Sequence, residues 1–176
     1  MTWSAEVRRE AGRVPLTLTG HYWHGGSEML SFEVQVSSRS SRATGVGPPG
    51  EADILRLNPH RRQRILQAAG WDDLFLGSLN LEVDEVWVHR LLLCDPIIRE
   101  RSEEVVYPED YAYIPRERVG YLYYRGRIKR NDITCEVLIR RACNPLRTRL
   151  EAFSMTKLRD SLSLSDGDWA SCEVEG

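Results

Sequence analysis

Apolar and polar side chains alternate along much of this chain with the two-residue period of half-buried strands. Residues 14–23 (VPLTLTGHYW) and 29–36 (MLSFEVQV) alternate in this way on either side of a Gly25-Gly26 turn, predicting a hairpin-like start. The pattern returns at 77–83, at 118–124 (RVGYLYY), at 133–140 (ITCEVLIR), at 149–154 (RLEAFS) and in the WASCEV stretch after the SDGD turn at 165–168. Residues 86–94 (VWVHRLLLC) form a further apolar segment, read as a strand around His89. One stretch switches to a helical pattern: residues 58–70, NPHRRQRILQAAG, with Asn58 to cap, Pro59 suited to the first turn and Gly70 to end it. A short helix is expected over 156–162, with Thr156 near its cap. Residues 96–116, rich in proline and acids, read as loop. Many strands, one central helix and a short C-terminal helix predict a mainly β fold: a small β-barrel carrying helical insertions.

A chain of 176 residues suits one domain. Residues 1–13 read as a flexible lead-in and 14–176 as a single barrel domain. The segment 37–52 (SSRSSRATGVGPPGEA) has almost nothing to bury and reads as a flexible loop. It is either a mobile surface insertion or a lid whose arginines meet a phosphate on closing. A net charge of −2 gives no broad attraction to nucleic acid or anionic lipid, so neither is expected as a partner. No apolar run approaches the ~20 residues of a membrane helix. The polar start MTWSAEVRRE predicts no secretory signal, and the expected location is cytoplasmic. Cys94, Cys135, Cys143 and Cys172 form no CxxC pair, which argues against a zinc ribbon or a thioredoxin-like motif, and four isolated thiols in a cytosolic chain read as half-buried fillers rather than a disulfide framework.

The stretch LGSLNLEVDE, 76–85, carries the candidate chemistry. On a strand, Leu79, Leu81 and Val83 face the core, while Ser78, Asn80 and Glu82 share the other face. Ser78 and Asn80 then offer uncharged oxygens roughly 7 Å apart at Cα. Magnesium takes hard oxygen ligands, and needs only one or two from protein when phosphates supply the rest. Gly77 beside them would admit phosphates close to the backbone. The alternative is an amphipathic strand with a solvated polar face.

Two segments in one order, LQAAGWDDLFLGSLNLEVD and RLEAFSMTKLRDSLSLSDGDWASCEV, resemble the archaeal CTP-dependent riboflavin kinases. That family carries a helix, a G-T-L-N-hydrophobic stretch, and later a glutamate strand, an L-R pair and a G-D turn. The matching positions are Gly77 to Leu81, Glu151, Leu158-Arg159 and Asp166-Gly167-Asp168. The resemblance implies a compact six-stranded β-barrel of the cradle-loop kind. It also implies transfer of the γ-phosphoryl of CTP to the 5′-hydroxyl of riboflavin, with Mg2+ held at Ser78 and Asn80. Ser78 replaces a threonine and keeps the hydroxyl. The family's glycine-rich nucleotide loop has its nearest counterpart in His24-Gly25-Gly26-Ser27-Glu28, where the Gly25 and Gly26 amides could cradle phosphates. The family's upstream histidine falls at Pro145, and its Ala-Pro at Ser154-Met155.

Within this reading Glu151 is the candidate catalytic carboxylate, orienting the acceptor hydroxyl or taking its proton. Otherwise it is a strand carboxylate paired with Arg149 or Arg140. Arg159 either binds phosphate or supports the short helix. Tyr121 and Tyr123 share a face and either stack on a flat ring or pack the barrel. His21 and His24 face opposite ways on a strand and do not share a metal. His60 lies on the polar helix start, and His89 reads as a core histidine. Two readings of other kinds stay open: a CTP-dependent kinase of another hydroxylated metabolite such as a nucleoside, and a non-catalytic nucleotide- or flavin-binding barrel or regulator.

Overall fold

The computed structural model describes residues 3–6, 17–20, 29–38, 50–109, 120–143 and 148–176, the first two stretches by backbone course alone. Six antiparallel strands close into a barrel: β3 (Met29–Ser37), β4 (Leu79–Glu82), β6 (Tyr121–Arg130), β7 (Ile133–Ala142), β8 (Arg149–Phe153) and β9 (Trp169–Glu175). Around the ring the order is β6-β7-β8-β4-β3-β9, and β9 returns to β6. A short strand, β5 (Ile98–Glu100), extends the sheet outside the ring by pairing with the start of β6. The predicted barrel is therefore present. Its interior is filled by the alternate apolar positions, including Phe32, Val34, Leu81, Ile128, Ile139, Leu150 and Val174. Strand β6 meets β9 at Gly126, where an added Cβ would lie 2.3 Å from the Glu173 carbonyl oxygen, so only glycine lets the two backbones close.

Helices α1 (Glu51–Leu57) and α2 (Pro59–Ala69) lie on the outside of β6, β7 and β8. Leu55, Ile65 and Leu66 pack there against Tyr123, Leu138 and Phe153, a second core separate from the interior. Helix α2 starts and stops where its sequence predicts, with Asn58 before it, Pro59 at its start and Gly70 in the left-handed region at φ 74°. Asn58 is fully buried, and its amide ties two segments together. It donates to the carbonyls of Ile54 (2.7 Å) and Val106 (2.6 Å) and accepts from the Val106 amide (2.7 Å).

The structure corrects several expectations. Residues 86–94 are not a strand: they hold α3 (Glu85–Arg90) and a 3-10 turn at Leu91–Leu93. Asp84 caps α3 by accepting from the Val86 amide at 3.3 Å, and Trp87, Val88 and Leu91 recur at helical spacing to bury one side. His89 is consequently exposed on a helix and is not a core histidine. The 96–116 region is not all loop, since β5 and a 3-10 turn at Ser102–Glu104 lie in it. The loop expected at 37–52 is narrower at both ends, because Ser37 completes β3 and Glu51 begins α1, while 39–49 lie outside the described residues. The predicted hairpin is replaced: β2 (Thr17–Gly20) pairs with β1 (Trp3–Glu6), inside the expected lead-in, and β3 pairs with β4 and β9.

Candidate functional site

Strand register places one row of side chains across the outer wall of the barrel. Direct cross-strand partners run Ser37, Asn80, Glu151, Arg140, Tyr123 and Ile98, from β3 through β4, β8, β7 and β6 to β5. Because direct partners share a face, all six point away from the barrel interior. The Tyr123 end lies under α1 and α2, whereas Ser37, Asn80 and Glu151 are partly buried. Ser78, two residues before Asn80 and just ahead of β4, donates to the Glu151 carboxylate at 3.4 Å. No side-chain hydrogen bond to Asn80 is present among the described residues. Ser78, Asn80 and Glu151 thus form one oxygen-rich patch, although they belong to segments far apart in sequence.

The buried half of the row is an ionic network. Arg140 donates from both Nη atoms to the two oxygens of Glu51, at 2.9 and 2.7 Å, and also pairs with Glu151. Its guanidinium lies over the Tyr121 ring, 4.4 Å from the centroid. Arg61 reaches Glu51 at 2.6 Å, Glu100 at 2.8 Å and the Tyr123 hydroxyl oxygen at 2.7 Å, and that hydroxyl in turn donates to Glu100 at 3.1 Å. Burial works against charge on Glu51, but Arg140 and Arg61 outweigh it and hold the carboxyl below its ordinary range. Burial likewise opposes the charge on Arg140, and Glu151 and Glu51 reverse it, keeping the guanidinium firmly protonated. The Tyr121 hydroxyl is pushed up to about 12 by burial, so it stays a neutral donor.

The other predicted residues fall as follows. Arg159 sits beside the start of the row, donating to the Ser37 carbonyl (3.2 Å), the Ser38 hydroxyl (3.1 Å) and Asp166 (2.6 Å). It ties the SDGD turn to the end of β3, next to Asn80 across the ladder. Gly77 closes a tight turn through its amide to the Phe75 carbonyl at 2.9 Å, and a Cβ there would stand 2.9 Å from the Phe75 ring. Gly25, Gly26 and Pro145 lie outside the described residues. Tyr121 and Tyr123 do share the outer face, but Tyr123 is sealed into the network and only Tyr121 reaches the half-buried zone. Glu51, which anchors Arg140, carries no signal in the sequence, because it ends a Ser/Gly/Pro-rich stretch. Arg140 is expected from the sequence only as a candidate partner of Glu151, a pairing the structure contains, while its link to Glu51 has no local signal.

A magnesium ion fits the chemistry of the patch, with a hydroxyl, an amide oxygen and a neighbouring carboxylate. Among the described residues there is no group of three or more His, Cys, Asp or Glu side chains that could hold a metal ion. No described helix is long and apolar enough to cross a membrane. The fold and patch define a closed six-stranded antiparallel barrel with a polar site on its outer wall. No family model matches the chain, and no curated protein matches it either.

Proposed function

We propose that this protein is a cytoplasmic kinase that transfers the γ-phosphoryl of CTP to a hydroxyl of a small metabolite, with riboflavin the default acceptor and FMN and CDP the products. The observation that carries the reading is the convergence of Ser78, Asn80 and Glu151 on one partly buried patch on the outer wall of a six-stranded barrel. These are the residues at which the resemblance to CTP-dependent riboflavin kinases implies metal and catalytic roles. Ser78 Oγ and the Asn80 amide oxygen would hold Mg2+, which supplies charge neutralisation on the phosphate oxygens when bound. Phosphoryl transfer asks little covalent work of the protein, so positioning dominates. Glu151, paired with Arg140, orients the acceptor hydroxyl and accepts its hydrogen bond. Glu151 takes the hydroxyl proton as the new oxygen–phosphorus bond forms, and the bond from the γ-phosphorus to the β–γ bridging oxygen breaks to release CDP. Arg159, which donates to the Ser37 carbonyl at the end of β3, would bind a phosphate of the nucleotide.

A second reading has its own support. The pairing of Glu151 with Arg140 is also what a purely structural carboxylate does, and it favours a non-catalytic nucleotide- or flavin-binding barrel. A panel assay separates the two. Labelled CTP or ATP is offered with riboflavin and several nucleosides, and phosphorylated product is scored. The kinase reading expects product with CTP and riboflavin, and its loss in the Ser78→Ala, Asn80→Ala double variant. Wild-type turnover in that variant would reject the metal assignment. Binding of CTP or riboflavin without product in the wild type would establish the second reading.

A further inference from the structure

Arg141 is the next residue along β7 from Arg140 and points the opposite way, into the barrel. Its cross-strand neighbours are Leu150 on β8 and Leu122 on β6, and the same inner row continues through Leu81 to Val36. An arginine therefore occupies a position in a row of aliphatic side chains. It is 1% exposed, and none of its three guanidinium nitrogens has a hydrogen-bond partner among the described residues. The Tyr124 hydroxyl, also inside and fully buried, has none either. Across Leu122 from Arg141 stands Arg99 of β5, exposed at the rim. Neither Arg99 nor Arg141 forms an ion pair among the described residues, and the charges that bear on the nearby Cys143 thiol are those of these two arginines.

A guanidinium keeps its charge in a protein interior. Burying it without an acceptor costs several kcal/mol. Five donors in a planar fork are matched by an oxyanion, which can accept two at once. Burial pushes the Tyr124 hydroxyl up to about 12 against the pull of Arg141, so the phenol also stands ready as a neutral donor. We propose that Arg141 and Tyr124 form a binding site for a small oxyanion, a phosphate or carboxylate group, at the β5 end of the barrel interior, with Arg99 at its entrance. Because the guanidinium is shut off from solvent, the anion enters as the wall near Arg99 gives way, and binding is slower than diffusion. The site lies on the opposite face of the wall from Ser78, Asn80 and Glu151, and the inference does not depend on the kinase reading.

The test compares unfolding midpoints of the full chain in chloride, inorganic phosphate and acetate at matched ionic strength. A ligand that binds only the folded state raises the midpoint with its concentration. The wild type should respond to phosphate, to acetate or to both, and the responding ion names the group the site takes. Arg141→Met should lose that response, and Tyr124→Phe should need about five- to tenfold more ion for the same rise, the worth of one hydrogen bond. No rise in the wild type with either ion overturns the proposal, as does an unchanged rise in Arg141→Met. Should Arg141→Met fail to fold, Tyr124→Phe decides: a response equal to wild type overturns the site.

Discussion

Arg140 and Arg141 are neighbours on one strand and live in opposite worlds. Outside the wall, Arg140 meets two carboxylates and two aromatic rings, and among the described residues only its Nε is left without a partner. Inside, Arg141 meets aliphatic side chains and, among the described residues, no acceptor. Both are nearly sealed from water. The difference lies in what surrounds the charge, and it follows from the period of the strand. A one-residue step carries a side chain from a polar interface under two helices to the interior of a barrel. A satisfied buried charge organises the elements that satisfy it, whereas an unsatisfied one asks for something the chain has not supplied.

Three measurements sharpen or break this contrast. The largest effect is expected at Glu51→Ala, which takes away both oxygens that hold Arg140 from α1 and one partner of Arg61. Leaving two buried guanidinium groups short of a carboxylate should cost about 3–5 kcal/mol in urea unfolding. A loss below about 1 kcal/mol would mean that the outer network is not closed as described. Arg141→Met should move stability the other way in chloride. Exchanging an unpaired buried charge for a long apolar side chain is expected to be neutral or to add about 1–3 kcal/mol. A clear destabilisation in chloride would show that Arg141 has an acceptor after all. The smallest effect is in pH. The Glu51 carboxyl is held below its ordinary value of 4.5, so its contribution is complete above that pH and is lost as pH falls through the folded-state value. The stability gap between wild type and Glu51→Gln should therefore be widest near neutrality and should shrink on acidification below 4.5. A gap that is constant with pH would remove the ionic part of the network.

The barrel was legible in the sequence because its strands alternate cleanly, and α2 because Asn58, Pro59 and Gly70 mark both its ends. Helix α3 was not, since VWVHRLLLC is apolar on nearly every residue and a fully buried strand has the same look. Capping by Asp84 was the signal that separated the two. Strand β5 is only three residues long, too short to show a period. In the patch, Ser78 and Asn80 could be paired from their spacing alone. Their meeting with Glu151 depends on the β4–β8 register, which no local pattern encodes. Glu51 was hidden more deeply, because a helix start just after a Pro-Pro-Gly stretch resembles the loop before it. Arg141 stood in plain view at an inward position of β7. Its neighbours' silence became visible only once the barrel was closed.

Strand β9 stitches two seams, one with β3 and one with β6 through the glycine at 126. Both seams join stretches that are remote along the chain, so the ring has a high contact order and should assemble in milliseconds to seconds, slowly for its size. Until β9 docks, β3 and β6 each present an open edge. A substitution that delays docking, such as Gly126→Ala, would therefore reveal itself first as aggregation during refolding, before any change in the finished molecule is apparent.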